Sequence, residues 1–131
     1  MKFSEHGSYS IEHYDDFIVV DATGPFNEQV VVKYKNELQS IIQGLNGKEW
    51  QQIIIMNDMS LFTPEAESVL CETLELRKQH GLVSSAVVYG GTLCNVLIHE
   101  QLSRCYLGAK IPHKFFDNLN KAKHWIKNSK H

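Results

Sequence analysis

The sequence has few cysteines and no excess of charge of either sign, and both shortages exclude classes of protein. Its three cysteines, Cys71, Cys94 and Cys105, include no CxxC pair. An odd number without such pairs is typical neither of a disulfide framework nor of a zinc site, so we expect reduced thiols in a cytoplasmic protein. Thirteen basic and fifteen acidic residues leave a formal net charge of -2, which argues against a nucleic-acid-binding surface.

Long apolar runs are also missing. No stretch approaches the roughly 20 residues that a helix needs to span a bilayer. The first ten residues, MKFSEHGSYS, contain no apolar segment, so we expect neither a signal peptide nor a membrane span. The 131 residues, 43% hydrophobic and 21% charged, are typical of one globular domain over residues 1–131.

Short apolar runs and helical periodicities alternate along the chain. The stretch YSIEHYDDFIVVDATG predicts a hairpin whose turn spans residues 14–16. Four helices follow, and the strands QQIIIMN, VSSAVVYGG and PHKFF separate them. Continuous apolar strands that alternate with helices indicate a mostly parallel sheet, to which the hairpin adds an antiparallel edge. The predicted fold is α/β, in the order β-β-α-β-α-β-α-β-α.

Capping residues and apolar spacing predict where the helices end and which faces are buried. Asn27, Thr63 and Asp117 are the predicted N-caps of the first, second and fourth helices, and Gly108 is predicted to end the third. Spacing by three and four predicts inner faces for the second and third helices that include Arg77, Val96 or Leu97, Ile98, Leu102, Cys105 and Tyr106.

One turn stands out, in IIIMNDMSLFTPEAESVL over residues 53–70, where a buried strand gives way to a helix. Ligand sites in open α/β sheets lie at the carboxyl ends of strands, and this turn lies at one. Two interpretations remain open, because the turn either only closes a bend or presents its apolar residues to a partner. The predicted partner-binding residues are Asp58, Ser60, Leu61, Phe62, Thr63 and Glu65. A neighbouring turn is predicted to assist with Gly90, Gly91, Thr92 and Asn95.

Chemistry-bearing residues are present, but their spacing is poor for catalysis. The seven histidines are scattered, and His99 and Glu100 are adjacent and cannot face one metal from one helix, so we expect no metal site. YGGTLCN lacks the third glycine of a dinucleotide fingerprint and the Gly-Lys of a P-loop. Cys94 near a helix start is the best candidate nucleophile, although a buried structural cysteine is the favoured interpretation. An enzyme that uses Cys94 or His99 remains an alternative, and no catalytic residue or cofactor is expected.

The element order resembles the STAS domain, the anti-sigma-factor-antagonist fold, and especially its SpoIIAA-like branch. Three stretches carry the likeness: IIIMNDMSLFTPEAESVL, VSSAVVYGG with its following helix, and the ending IPHKFFDNLNKAKHWI. It covers nearly the whole chain and implies a non-enzymatic module that binds partner proteins. In some members a serine that begins the helix after the central strand is phosphorylated to switch binding. Pro64 and Glu65 occupy those positions here, so the resemblance implies no such phosphoacceptor.

The sequence thus predicts a regulatory protein-binding module of the STAS type. Leu61 and Phe62 are the predicted apolar anchor, and Thr63 fixes the start of the helix. The alternative is a binding protein for an apolar small molecule or lipid held between the helices and the sheet. A homodimer is predicted from the hairpin edge.

Overall fold

The computed structural model of the protein describes residues 7–14, 17–92 and 95–128. One sheet holds five strands in the spatial order β1-β2-β3-β4-β5. The strands are Ser8–His13, Phe17–Thr23, Trp50–Asp58, Leu82–Thr92 and His113–Phe116. β1 runs antiparallel to β2, and the other neighbours are parallel. The predicted order and mixed sheet are confirmed, while Asp15 and Asp16 of the predicted turn lie outside the described residues.

Four helices cover the two faces of the sheet. They are α1 (Glu28–Gln43), α2 (Pro64–Gln79), α3 (Asn95–Ala109) and α4 (Leu119–Asn128). α1, α2 and α3 pack on one face and α4 on the other, so β3 is buried on both sides. Ile54 points into the first core and Ile53 into the second, which is why this strand reads as a continuous apolar run. Among these helices, none is long and apolar enough to cross a bilayer.

Two of the three predicted N-caps are confirmed. The Asn27 side chain accepts a hydrogen bond from the third residue of its helix at 3.0 Å, and Thr63 does the same at 3.1 Å. The prediction for α4 is wrong by one residue. Asn118 is the cap, because its side-chain oxygen accepts from two amides of the first turn, whereas Asp117 pairs with Lys121 at 3.3 Å.

The third helix differs most from its sequence prediction. Neither Val96 nor Leu97 faces inward, because they are 72% and 52% exposed and Ile98 is the first residue of the buried stripe. The Gly108 stop is also wrong, since α3 continues to Ala109. Lys110, with φ of 58°, then takes the left-handed conformation in which a glycine had been expected.

Gly108 therefore lies in a helix that gains nothing from it. A Cβ built on Gly108 meets no atom within 4 Å. We expect Gly108→Ala to raise the free energy of unfolding by about 0.5 kcal/mol, because alanine loses less backbone entropy in a helix. Urea denaturation followed by circular dichroism measures the change. Gly47→Ala is the matched control, since Gly47 also has open space but holds φ at 78°, and a stability loss is expected there.

The expectation of reduced thiols is wrong for two of the three cysteines. Cys71 of α2 and Cys105 of α3 form a disulfide, with their Cα atoms 4.6 Å apart. The two residues are separated by 34 positions, and only the packing of α2 against α3 brings them together. Cys94 lies outside the described residues, so its predicted place at the start of α3 stays a prediction.

A buried polar network lies between α2, α3 and the sheet. Arg77 is 1% exposed, as its place in the inner stripe predicted, and its Nη1 donates to Oε1 of Gln52 at 3.0 Å. The Gln52 amide donates in turn to Ser85 at 3.0 Å and to Tyr106 at 3.3 Å. Burial raises the pKa of Tyr106 to about 12, so this phenol is neutral at physiological pH.

Candidate functional site

The carboxyl ends of β3 and β4 meet at one edge of the sheet. Asp58 pairs with Thr92 across the two strands, and residues 59–63 leave the sheet there to begin α2. Asp58 itself has φ of 52°, a left-handed conformation in which the chain turns sharply out of the sheet. Both turns that the sequence singled out therefore lie at the same edge of the molecule.

The turn after β3 is fastened to the segment that follows β2. The amide of Phe26 donates to the carbonyl of Leu61 at 2.8 Å, and the amide of Thr63 donates to the carbonyl of Phe26 at 3.0 Å. These two bonds form a short parallel bridge between Phe26 and Phe62. Hydrogen bonds within the chain therefore attach this turn to the segment after β2.

Ser60 is buried inside this turn and bonds to its backbone. Its side chain is fully buried, its hydroxyl donates to the carbonyl of Asn57, and it accepts from the amide of Gly24 at 3.3 Å. Ser60 is therefore placed to hold the turn rather than to meet a partner. The Thr63 hydroxyl is at the surface, where it caps α2, and Glu65 is exposed in the first turn of that helix.

The two predicted anchors, Leu61 and Phe62, are partly buried, because both pack against the core. The Phe62 ring lies 4.8 Å from the Phe26 ring, and Leu61 contacts the same core. The Gln101 side chain, from α3, accepts from the Phe62 amide at 3.0 Å and donates to the Phe62 carbonyl at 2.8 Å. Met59 is the turn's large exposed apolar residue, at 46%. Nothing in the sequence marked which of the three apolar residues would point outward, since the turn has no periodicity.

The second turn brings further apolar residues to this edge. Gly90, Gly91 and Asn95 are exposed, and Val96 and Leu97 follow in the first turn of α3 with most or half of their surface in solvent. We refer to Met59, Val96 and Leu97, which follow the paired strand ends Asp58 and Thr92 on the two turns, as the Met59 patch. Its three members are among the most exposed large apolar residues of the described chain. Sequence reasoning missed Val96 and Leu97 as surface residues because it assigned one of them to the core.

The two glycines of this turn have structural causes. A Cβ on Gly90 would run into the Asn57 side chain, and Gly91 holds φ at 84°. The Asn57 amide is fixed in turn by Asp21 at 2.6 Å and by the carbonyl of Ala22 at 3.1 Å. A close approach and a left-handed residue therefore account for the glycine pair, and a phosphate loop is not needed to explain it.

Carboxylates accompany the apolar patch. Asp21, Asp58 and Glu65 are all exposed at or near this edge. Segments 17–27, 57–67 and 95–103 contain no lysine or arginine, so no basic residue of these segments offsets the carboxylates. The edge therefore combines an apolar centre with acidic neighbours, which suits a protein surface and repels phosphates.

His99 is the catalytic alternative that the described residues allow us to inspect. Its Nδ1 lies 3.2 Å from the Tyr89 hydroxyl, and its ring lies 4.1 Å from that of Phe115. Burial raises the pKa of Tyr89, so the phenol stays protonated beside the imidazole. The His99 imidazole therefore contacts a neutral phenol and a phenyl ring.

Solved structures share this architecture, although their sequences have diverged. An uncharacterised protein of the DUF3478 family with a SpoIIAA-like fold, from Shewanella loihica, aligns with a TM-score of 0.69 at 16% identity, over 96% of this chain and 98% of that one. An anti-sigma factor antagonist from Mycobacterium paratuberculosis aligns with a TM-score of 0.63 at 15% identity, over 97% and 99%. No family model and no curated protein matches the sequence. These alignments show that the chain has a SpoIIAA-like fold.

Proposed function

We propose that this chain is a non-enzymatic regulatory module that binds a partner protein through the Met59 patch. The observation that carries the proposal is the exposure of Met59, Val96 and Leu97 beside a turn that is already held in shape. An exposed apolar cluster on a prearranged backbone is typical of a protein contact, because little ordering is required on binding. One protein of the same fold is an anti-sigma factor antagonist, whose name describes regulation through another protein.

The carboxylates around the patch define the kind of partner. Asp21, Asp58 and Glu65 would face the rim of the interface, where opposite charge steers association and excludes wrong partners. We therefore expect a partner with an apolar side chain at its centre and lysine or arginine around it. Raised salt should slow this association more than it speeds dissociation.

The proposed module lacks the serine that is phosphorylated in some members of the STAS family, which this sequence resembles. Pro64 occupies the first position of α2 and Glu65 the next, where a negative charge is favoured by the helix dipole. The proposal is therefore a partner surface in which Glu65 supplies a permanent charge, and regulation by phosphorylation at this helix start is not part of it.

The proposal is tested by comparing two aspartate substitutions at exposed apolar residues. We expect Met59→Asp to lose at least 10-fold in partner retention during affinity capture, because a charge would be buried in the interface without a pair. Leu107→Asp is the matched control, since Leu107 is also largely exposed but lies at the other end of α3. Circular dichroism should show both variants folded. Equal loss in the two variants, or no loss in either, would contradict the proposed surface.

A second candidate function rests on a cavity between the helices and the sheet. It measures about 40 Å³ and is lined by apolar or aromatic side chains: Tyr9, Val20, Ala22, Phe26, Val30, Val31, Tyr34, Ile54, Met56, Phe62, Leu70 and Leu102. A water needs roughly 10–15 Å³ of such volume, so the space equals only a few waters. A lipid would therefore require α1 or α2 to move, which favours the protein partner. If solvent extracts a lipid from the purified protein, lipid binding becomes the favoured function in place of protein binding.

Two further predictions stay attached to the proposed function. The exposed edge of β1 favours a homodimer, and a light-scattering mass equal to one 15.0 kDa chain would contradict it. A cytoplasmic location is also proposed. In that reducing compartment Cys71 and Cys105 would be thiols for part of the time.

A further inference from the structure

The disulfide has a third potential ligand beside it. Among the described residues, Glu67, Cys71 and Cys105 form the one group of histidine, cysteine and carboxylate side chains that could hold a metal ion, with their ligand atoms within 4.8 Å of one another. Glu67 and Cys71 are four residues apart on α2 and so lie on one face of that helix, while Cys105 approaches from α3. The helix packing that joins the sulfurs thus also brings a carboxylate to them.

We infer that Glu67, Cys71 and Cys105 bind a thiophilic divalent cation, of the zinc or cadmium class, when the disulfide is reduced. Thiolates select such ions over magnesium and calcium. Three protein ligands would leave one tetrahedral position for water. This site is independent of the proposed protein-binding function, and the spacing of cysteines in the sequence gives no sign of it.

Neighbouring groups are already arranged for such an ion. The Arg104 guanidinium holds the Glu67 carboxylate with two hydrogen bonds, at 2.9 and 2.7 Å. Hydrogen bonds of this kind orient a metal-binding carboxylate. Two thiolates, the Glu67 carboxylate, the Arg104 guanidinium and a divalent ion together carry no net charge. Glu67 and Cys71 are partly buried and Cys105 is only 1% exposed, so this balance lowers the cost of placing an ion beside them.

The change from disulfide to metal site is a balanced exchange. A thiol reductant gives two electrons and two protons to the sulfur–sulfur bond, which leaves two thiols in the protein and a disulfide of the reductant. The cation then forms two metal–sulfur bonds and one metal–oxygen bond, and the two thiol protons go to water. The disulfide of that reductant reverses the exchange, because it accepts the two electrons with two protons from water, rejoins the protein sulfurs and releases the ion, so metal and disulfide exclude each other.

The test uses the Cys94→Ser chain, which leaves only the two cysteines of the site. The protein is reduced with a phosphine, which takes the oxygen of a water to form the phosphine oxide, and it is titrated with cadmium after the phosphine has been removed. We expect one cadmium per chain, seen as thiolate-to-cadmium charge transfer, and none in the oxidised chain. Zinc added in excess should compete for the same site and lower the cadmium signal. The absence of stoichiometric binding in the reduced chain would overturn the inference.

Two substitutions test whether Glu67 is a ligand, or whether the two thiols bind the metal alone. Glu67→Gln should weaken cadmium binding at least 10-fold, whereas Glu75→Gln, an exposed change on the same helix, should leave it unchanged. Equal binding by the two variants would overturn the role of Glu67. If the reduced chain loses its near-ultraviolet circular dichroism, zinc is expected to restore it, and a failure to do so also counts against the site.

Discussion

Gly24→Ala is expected to lower the free energy of unfolding by about 3 kcal/mol and to weaken partner capture. A Cβ on Gly24 would lie 2.5 Å from the carbonyl oxygen of Met59 and 2.5 Å from the Cα of Ser60. Both are backbone atoms, so no side-chain rotation relieves the contact. Overpacking against a fixed backbone typically costs about 1–3 kcal/mol, and here the turn is also held by the bridge to Phe26.

The two effects of Gly24→Ala have different measurements. Urea denaturation reports the stability loss, and capture below the unfolding transition reports the shape of the turn. We expect capture to fall as in Met59→Asp, because the displaced segment carries Met59 itself. Gly108→Ala is the control for adding a methyl group, since that position is open. An unchanged denaturation midpoint would show that the turn yields to the methyl group, and would weaken the view that it is prearranged.

Much of the architecture follows from local signals in the sequence. Asn27 and Thr63 precede periodic stretches and cap them as predicted, and the continuous apolar run of β3 is buried on both faces. Such features depend on neighbours within one helical turn or one strand. The family resemblance agreed with them because it depended on the same element order.

The errors come from contacts between distant segments. Cys71 and Cys105 meet only because α2 packs on α3, and no local pattern predicts that packing. Val96 and Leu97 are apolar at a helix start, and spacing alone cannot tell a buried first turn from one that projects beyond the sheet. The outward residue of the β3–α2 turn, Met59, was set by the bridge between Phe26 and Phe62, which are 36 positions apart. The exposed residues of a site made of two turns are thus the feature of this fold that the sequence predicts least well.

The second large effect on stability concerns Arg77, whose guanidinium is buried in the core. We expect Arg77→Ala to lower the free energy of unfolding by roughly 2–5 kcal/mol, as for other large side chains truncated in a core. Arg77→Met should lower it by less than about 1.5 kcal/mol, because methionine fills much of the same volume without a charge. Urea denaturation of the two variants beside the parent chain measures the contrast.

The contrast is expected because the guanidinium has few partners for its charge. Neither of the two ion pairs among the described residues involves Arg77, and its Nε and Nη2 atoms have no hydrogen-bond partner there. Its contacts are the bond to Gln52 and the Tyr34 ring, whose centroid lies 4.8 Å away. Burial raises the pKa of Tyr34 and of Tyr106, so neither phenol supplies a negative charge at neutral pH.

The magnitudes then decide which property of Arg77 matters. Removing an ion from water costs several kcal/mol in a protein interior. One hydrogen bond to a charged group returns about 1.5–3 kcal/mol, and a desolvated cation–π contact returns about 2 kcal/mol. The cost of burying the charge is therefore nearly offset by these two contacts. The remaining contribution of Arg77 to stability is the core volume that its side chain fills. If Arg77→Met proves as unstable as Arg77→Ala, the guanidinium charge itself stabilises the fold, and the buried network must hold an anionic partner for it.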